Sequence, residues 1–142
     1  MVSSEGKRVI HFDKYQFSYI VDAVWEREES GVLYLSGRDY KSGAKPKNHL
    51  QGSLYLWAMW HDFPEYRDHK LEFAYHMTQN DKLIWVDAEN VVEKMNIFME
   101  AALQTIELSF LINRFPQTPA RDNCHFCTVA LCDERHGAES WG

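Results

Sequence analysis

No stretch of this chain stays apolar for the ~20 consecutive residues a membrane-spanning helix needs, so no membrane association is expected. The opening residues, MVSSEGKRVIHFDK, lack an apolar segment after their charges, so no secretory signal is read there. Cysteine is absent until Cys124. The three that exist, Cys124, Cys127 and Cys132, fall within nine residues. An odd, tightly clustered set in a chain without a signal argues for a metal site rather than a disulfide framework, and for the cytoplasm as the default compartment. Positive charge is in deficit as well: 15 Lys and Arg stand against 21 Asp and Glu, a net charge of −6. Proteins held to nucleic acid by electrostatics alone are usually basic, so such binding is disfavoured in its simplest form. A bound divalent cation reverses the sign locally, and Arg38, Lys41, Lys45 and Lys47 make one short stretch basic. Proline is scarce, and each of the four falls where a pattern breaks.

What is present is aromatic and globular in composition: 14% Phe, Trp and Tyr, with 25% charged residues. At 142 residues the chain reads as a single domain, long enough to bury most of its apolar surface in one core. No internal repeat or low-complexity tract is evident. Residues 7–12 and 17–26 read as strands from their β-branched and aromatic content. Glu28-Glu29-Ser30-Gly31 is a turn signal, and 32–39 a third strand, so that 17–39 forms a hairpin ending at Asp39. After Ser42-Gly43 and Pro46, the spacing of Leu50, Leu54, Trp57, Ala58 and His61 predicts a helix over about 48–61, stopped by Pro64. Strands are expected at 71–77 and 82–86. Asp87 is the expected N-cap of a helix over about 88–112, with Val91, Met95, Phe98, Met99, Ala102, Ile106 and Phe110 as its apolar stripe. Pro116 and Pro119 then lead into the cysteine segment, 115–142. The order predicts an α/β fold, a mixed sheet flanked by helices with a cysteine-bearing tail.

Three charged residues stand out. Asp22 lies inside the apolar stretch YIVDAVW, where an unpaired charge is costly. After sixteen intervening residues comes Asp39-Tyr40-Lys41. On a strand, residues two apart share a face, so Asp39 and Lys41 project together if the strand persists that far, and Asp22 on the neighbouring strand can lie beside them. Carboxylates that hold magnesium, next to a lysine that adds fixed positive charge, are what phosphodiester hydrolysis calls for. An Asp-x-Lys at a strand end is equally an ordinary surface ion pair. Gln51 and Tyr55, four apart on the predicted helix, share one face of it.

This ordered set resembles the RecB-like branch of the PD-(D/E)xK nuclease superfamily, which includes RecB-type exonuclease domains, the AddB subunit and the iron–sulfur nucleases of CRISPR adaptation. The resemblance rests on Asp22, on Asp39-Tyr40-Lys41-Ser42-Gly43, on Gln51-x-x-x-Tyr55 and on the cysteine cluster, and covers residues 17–132. It implies a restriction-endonuclease-like sheet and a DNA nuclease acting in recombination, repair, phage DNA metabolism or CRISPR adaptation. It further implies magnesium or manganese held by Asp22, Asp39 and the Tyr40 carbonyl, with Lys41 orienting the attacking water. Gln51 and Tyr55 would contact DNA or brace the site.

In that family three such cysteines join a fourth, upstream one around a [4Fe–4S] cluster; this chain has no fourth. His136, and His125 between the first two cysteines, leave a zinc site open as the alternative. The family also carries a helix and a catalytic histidine ahead of the first aspartate. Only 21 residues precede Asp22, and His11 falls on a predicted strand. The expectation is a chain lacking that N-terminal part: a C-terminal portion of a nuclease, one of two split chains whose partner supplies the rest, or a reduced relative. A catalytically incomplete nuclease-fold subunit that binds DNA or protein, and a small zinc-binding interaction domain, stand as alternative readings. His61, His69 and His76 have no metal-ligand spacing. Trp57 and Trp60 read as packing residues first, and as stacking platforms for single-stranded DNA second.

Overall fold

The computed structural model describes residues 1–46 and 49–114. The chain divides into two compact units, Met1–Met99 and Glu100–Gly142. Among the described residues, all strands and the candidate site belong to the first. Five strands form one mixed sheet in the order β1 (Ser3–Ser4), β4 (Ala23–Glu29), β5 (Val32–Lys41), β6 (Lys70–Met77) and β7 (Lys82–Trp85). Only β5 and β6 run parallel; the other neighbours are antiparallel. A separate antiparallel hairpin joins β2 (Lys7–Phe12) to β3 (Tyr15–Ile20). Two helices follow, α1 (Leu50–Asp62) and α2 (Val91–Leu111). Among the described residues no helix is long and apolar enough to cross a membrane.

Local chemistry accounts for the hairpin that carries the site. Ser30 and Gly31 both take positive φ, 52° and 77°. A two-residue turn needs that pair if its twist is to match the flanking strands, and Gly31 supplies its half with no Cβ to clash. The tight turn sets the register of β4 against β5, from Glu29↔Val32 to Ala23↔Arg38. Parallel strands need a crossover, and α1 is the crossover between β5 and β6. It lies on the face that carries Gly37, Phe73 and Tyr75. A Cβ added to Gly37 would sit 2.8 Å from both Met59 Sδ and Phe73 Cδ2; one added to Gly52 would sit 2.5 Å from Val86 Cγ2. Two glycines therefore let helix and sheet approach. The space between them is filled by Leu35, Leu56, Met59, Phe73 and Tyr75, each at most 1% exposed. Burial of each large side chain contributes on the order of 1.5–3 kcal/mol.

The β2–β3 hairpin packs on α1 as a further layer. The Arg8 guanidinium pairs with the Asp62 carboxylate at the helix end and lies 4.6 Å from the Phe63 ring centroid. The Tyr19 hydroxyl donates to the same carboxylate at 2.6 Å. Phe12 and Phe17 meet the Trp57 ring edge-on at centroid distances of 5.2 and 5.6 Å. Trp57 Nε1 donates to Asn96 Oδ1 at 2.8 Å, which ties the start of α2 to the same helix. The opposite face of the sheet is organised differently. There the Arg38 guanidinium stacks between Trp25 and Trp85, at 4.9 and 4.5 Å, and Arg27 makes a two-pronged pair with Glu72 at 2.5 and 2.7 Å. Burial lowers the Arg38 pKa. Burial works against the Glu72 carboxylate too, but its hydrogen bonds from Arg27 and Ser36 hold its pKa below normal.

Several expectations need correction. Residues 17–26 are not one strand: the ladder breaks at Val21 and Asp22, and β3 and β4 belong to different sheets. Asp22 is therefore in the junction, not in a strand. β5 continues to Lys41, beyond the expected end at Asp39. Asp87 caps a turn, accepting from the Glu89 amide at 2.9 Å, and α2 begins only at Val91, after Asn90 takes φ 51°. In the first unit the buried positions of α2 are Val91, Met95 and Met99, spaced four apart, while Phe98 lies beside that row and is 44% exposed. In the second unit Ile106 and Phe110 are exposed, so the expected stripe does not persist along the helix.

Gly52→Ala tests the close approach of α1. Ala is better than Gly in a helix by about 1 kcal/mol, but overpacking costs about 1–3 kcal/mol. Val86 is branched next to its own backbone and has little room to yield. A net loss of about 1 kcal/mol or more is expected in thermal or urea unfolding; a more stable variant would show that α1 sits further from the sheet.

Candidate active site

The β4–β5 register, continued by one residue past Ala23↔Arg38, sets Asp22 opposite Asp39. The chain break at Val21 and Asp22 frees the Asp22 side chain from the ladder. Its Oδ2 accepts a hydrogen bond from the Tyr40 amide at 2.6 Å, closing the edge of β5 where β4 no longer runs. In a strand the N–H and C=O of one residue point to the same edge, so the Tyr40 carbonyl also lies toward Asp22. The Tyr40 ring, by contrast, is on the far face, 49% exposed and 5.2 Å from the His76 ring.

Asp39 shares its face of the sheet with Lys41. Lys41 Nζ stands 2.7 Å from Asp39 Oδ2. That oxygen is buried and receives no well-directed hydrogen bond among the described residues, so the contact is ionic. Asp39 is only 7% exposed. Burial raises its pKa, and the adjacent Asp22 carboxyl, within hydrogen-bonding reach, pushes the same way; Lys41 opposes both without reversing them. Lys41 has its own pKa raised, mainly by the Asp39 contact. It is an ammonium at neutral pH and a donor of positive charge, not a base.

Two further elements close the site. Tyr75 on β6 is paired with Asp39; Lys41 Nζ lies 5.9 Å from its ring centroid, and its buried hydroxyl abuts the backbone of Gly52. From α1, Gln51 Nε2 donates to the Tyr55 hydroxyl at 3.0 Å. Burial raises the Tyr55 pKa and the Asp39 charge adds to it. Asp39 and Lys41 in turn influence Tyr75, whose pKa is likewise raised, chiefly by burial. The structure thus brings Asp22, Asp39, Tyr40 and Lys41 together at the end of β5, with Tyr55 and Tyr75 near enough to feel their charges. Sequence reasoning missed Tyr75. Its only signal is alternation with Phe73, and nothing local reveals that β6 runs parallel to β5.

Among the described residues no group of three or more His, Cys, Asp and Glu is placed to hold a metal. A cation here would rest on two carboxylates and one carbonyl, a sparse oxygen set of the kind magnesium accepts while keeping several waters. Two observations fit such an ion: a carboxylate pair in mutual contact, and a buried Asp39 oxygen without a directed donor. Cys124, Cys127, Cys132 and His136, with Lys47, lie outside the described residues. His61 packs on Trp57 and Trp60, His69 bonds Asp68 and Glu26, and His76 bonds Asp81, all away from the carboxylates. No family model, no curated protein and no solved structure matches the chain.

Asp39→Asn separates a metal site from a plain ion pair. A carboxyl whose pKa is raised on folding binds its proton more tightly in the folded state. Stability therefore falls as pH climbs from the ordinary carboxylate range through the raised pKa. Replacing Asp39 by the neutral amide removes that fall, so the variant is expected to melt higher than wild type at neutral pH without divalent metal. Millimolar magnesium is expected to raise the Tm of the wild type and to leave that of the variant unchanged. Differential scanning fluorimetry across pH, with and without magnesium, measures both. A variant that melts lower without metal would show that the Asp39–Lys41 pair stabilises the fold.

Proposed function

We propose that this chain is a divalent-metal-dependent DNA nuclease with a PD-(D/E)xK core of the RecB-like kind. The observation that carries the reading is the gathering of Asp22, Asp39 and Lys41 at the end of β5: the Asp22 carboxylate is bonded to the amide of Tyr40, the residue between the other two, and the Lys41 ammonium stands 2.7 Å from Asp39. Support also comes from the frame around it, a mixed five-stranded sheet whose parallel pair β5–β6 is bridged by a helix carrying Gln51 and Tyr55. The resemblance in motif order remains the source of the reaction class.

Bound between the carboxylates, magnesium or manganese supplies Lewis-acid polarisation of a phosphoryl oxygen and lowers the pKa of a coordinated water. The chain's own residues do the rest. Asp22 and Asp39 provide the negative charge that would hold the ion, and the Tyr40 carbonyl adds a neutral oxygen on the same edge. Lys41, kept protonated by Asp39, orients the water and opposes the negative charge that builds on the phosphate. The Tyr40 amide fixes the Asp22 rotamer. Gln51 and Tyr55 contact the DNA backbone or brace Lys41 from α1. The cysteine segment, through Cys124, Cys127 and Cys132 with His136 as a further ligand, would carry zinc or an iron–sulfur cluster that holds the C-terminal part. Thiolates at that spacing suit either.

Lys41→Ala is the direct test. The side chain is about one-third exposed and makes little packing, so the fold is expected to survive, with a stability change within about 1 kcal/mol. Loss of an electrostatic stabiliser of this kind lowers the rate on the order of 100-fold or more. Labelled single- and double-stranded DNA, with magnesium and with manganese, gives the readout. Equal cleavage by wild type and variant removes Lys41 from the mechanism. No cleavage by folded wild type favours the alternative, a catalytically incomplete subunit.

A further inference from the structure

A cavity of about 440 Å³ opens between the β2–β3 hairpin and α1. Its size is that of a small-molecule site, which spans about 300–1,000 Å³. One wall is Ile10, Phe17 and Tyr19 from the hairpin; the other is Leu54 and Tyr55 from α1, with Trp57 behind them. Ser18, Gln51 and Lys7 are polar members of the same lining. The hairpin is clamped at one end by Arg8 and Tyr19 on Asp62, so the slot is built into the packing. The Tyr19 and Tyr55 rings stand 6.5 Å apart between centroids.

We propose that this cavity receives one unpaired nucleobase of a single-stranded DNA segment whose backbone runs past Asp22, Asp39 and Lys41. The inference rests on the nuclease reading, which it deepens by naming the substrate as a strand with at least one unstacked base. Four features carry it. The lining joins flat aromatic rings to aliphatic side chains, the surface on which bases of any sequence stack. Gln51 and Ser18 bring an amide and a hydroxyl to hydrogen-bond a base edge. The exposed Lys7 meets the charge of the strand, whereas an uncharged apolar ligand would gain nothing from it. Tyr55 joins the cavity to the carboxylate end of the sheet: it lines the cavity with its partner Gln51, and its ring stands 5.2 Å from Phe73, two residues before the Tyr75 that pairs with Asp39 and lies under the Lys41 ammonium. A base held there places its strand beside the carboxylates. A base stacked and paired within a duplex cannot enter a slot between two packed elements, so a paired end must first fray.

The test uses the full chain with calcium in place of magnesium and short fluorescent oligonucleotides, read by anisotropy. An intact single strand is compared with a set in which an abasic nucleotide is moved along the sequence, and with a blunt duplex. One abasic position is expected to weaken binding about tenfold, the effect of a single base–aromatic stack; the duplex binds more weakly than the single strand. Leu54→Trp, which fills the cavity, should abolish the difference between intact and abasic strands. A second measurement needs no variant: a strand carrying 5-iododeoxyuridine at the sensitive position is irradiated and its cross-link located by mass spectrometry, with Phe17, Tyr19 or Tyr55 expected. Indifference to every abasic position, cross-links found only elsewhere, or no oligonucleotide binding overturns the proposal. The two readings fail separately. Base-dependent binding without cleavage in magnesium sustains the pocket and removes the nuclease; cleavage without base dependence does the reverse.

Discussion

Asp22 and Asp39 repel each other, and the chain nevertheless holds them in contact. The contact follows from the two-residue turn at Ser30 and Gly31, which sets the β4–β5 register, and from the break at Val21 and Asp22, which releases Asp22 from the ladder at the point where it faces Asp39. Most of the neighbourhood compensates for this one unfavourable pair. The Tyr40 amide takes one carboxylate and Lys41 the other. The compensation is incomplete, because the Asp39 pKa stays raised despite its ammonium neighbour. A fold under selection for stability alone has no need of such a pair, since neutral or apolar residues could fill the same volume at less cost. The proposed cation site gives the pair a use.

The same break organises the rest of the first unit. If residues 15–29 formed one continuous strand, the β2–β3 hairpin would extend the main sheet. Instead the chain changes layers at Val21, and the hairpin packs on α1, clamped by Arg8, Tyr19 and Asp62. That placement creates the cavity beside Gln51 and Tyr55. Site and pocket are thus two consequences of one irregularity in the backbone, with α1 as their shared wall. The two glycines Gly37 and Gly52 set how closely α1, which carries Gln51 and Tyr55, packs on the sheet that carries Lys41.

Much of this was legible in the sequence, and the failures have physical causes. The turn signal at Glu28–Gly31 and the apolar run VLYL after it gave away β5, and the two-residue period of a strand put Asp39 and Lys41 on one face. The turn at Ser30 and Gly31 and the stop at Pro64 were equally local signals. The junction was not: β-branched and aromatic residues flank Asp22 on both sides, so the strand pattern reads straight through the point where pairing passes from one partner to another. Asp87 resembles a helix N-cap because the same side-chain geometry that caps helices also closes turns, and it does the latter here. Phe98 looked like core because it falls on the helical stripe three residues after Met95, yet only the row of Val91, Met95 and Met99 is buried in the first unit. Tyr75 and the cavity depend on long-range pairing, which no local window contains.

The central claim is that Asp22 and Asp39 share a divalent cation with the Tyr40 carbonyl. Paramagnetic manganese titrated into isotopically labelled protein tests it most directly, because amide resonances broaden steeply with proximity to the ion. At substoichiometric manganese the account predicts that the amides of Asp22, Asp39, Tyr40 and Lys41 broaden before the rest of the sheet, and that excess magnesium reverses the loss. If those four resonances persist while amides elsewhere disappear, the carboxylate pair is not a metal site and the account of this protein as a metal-dependent nuclease is contradicted.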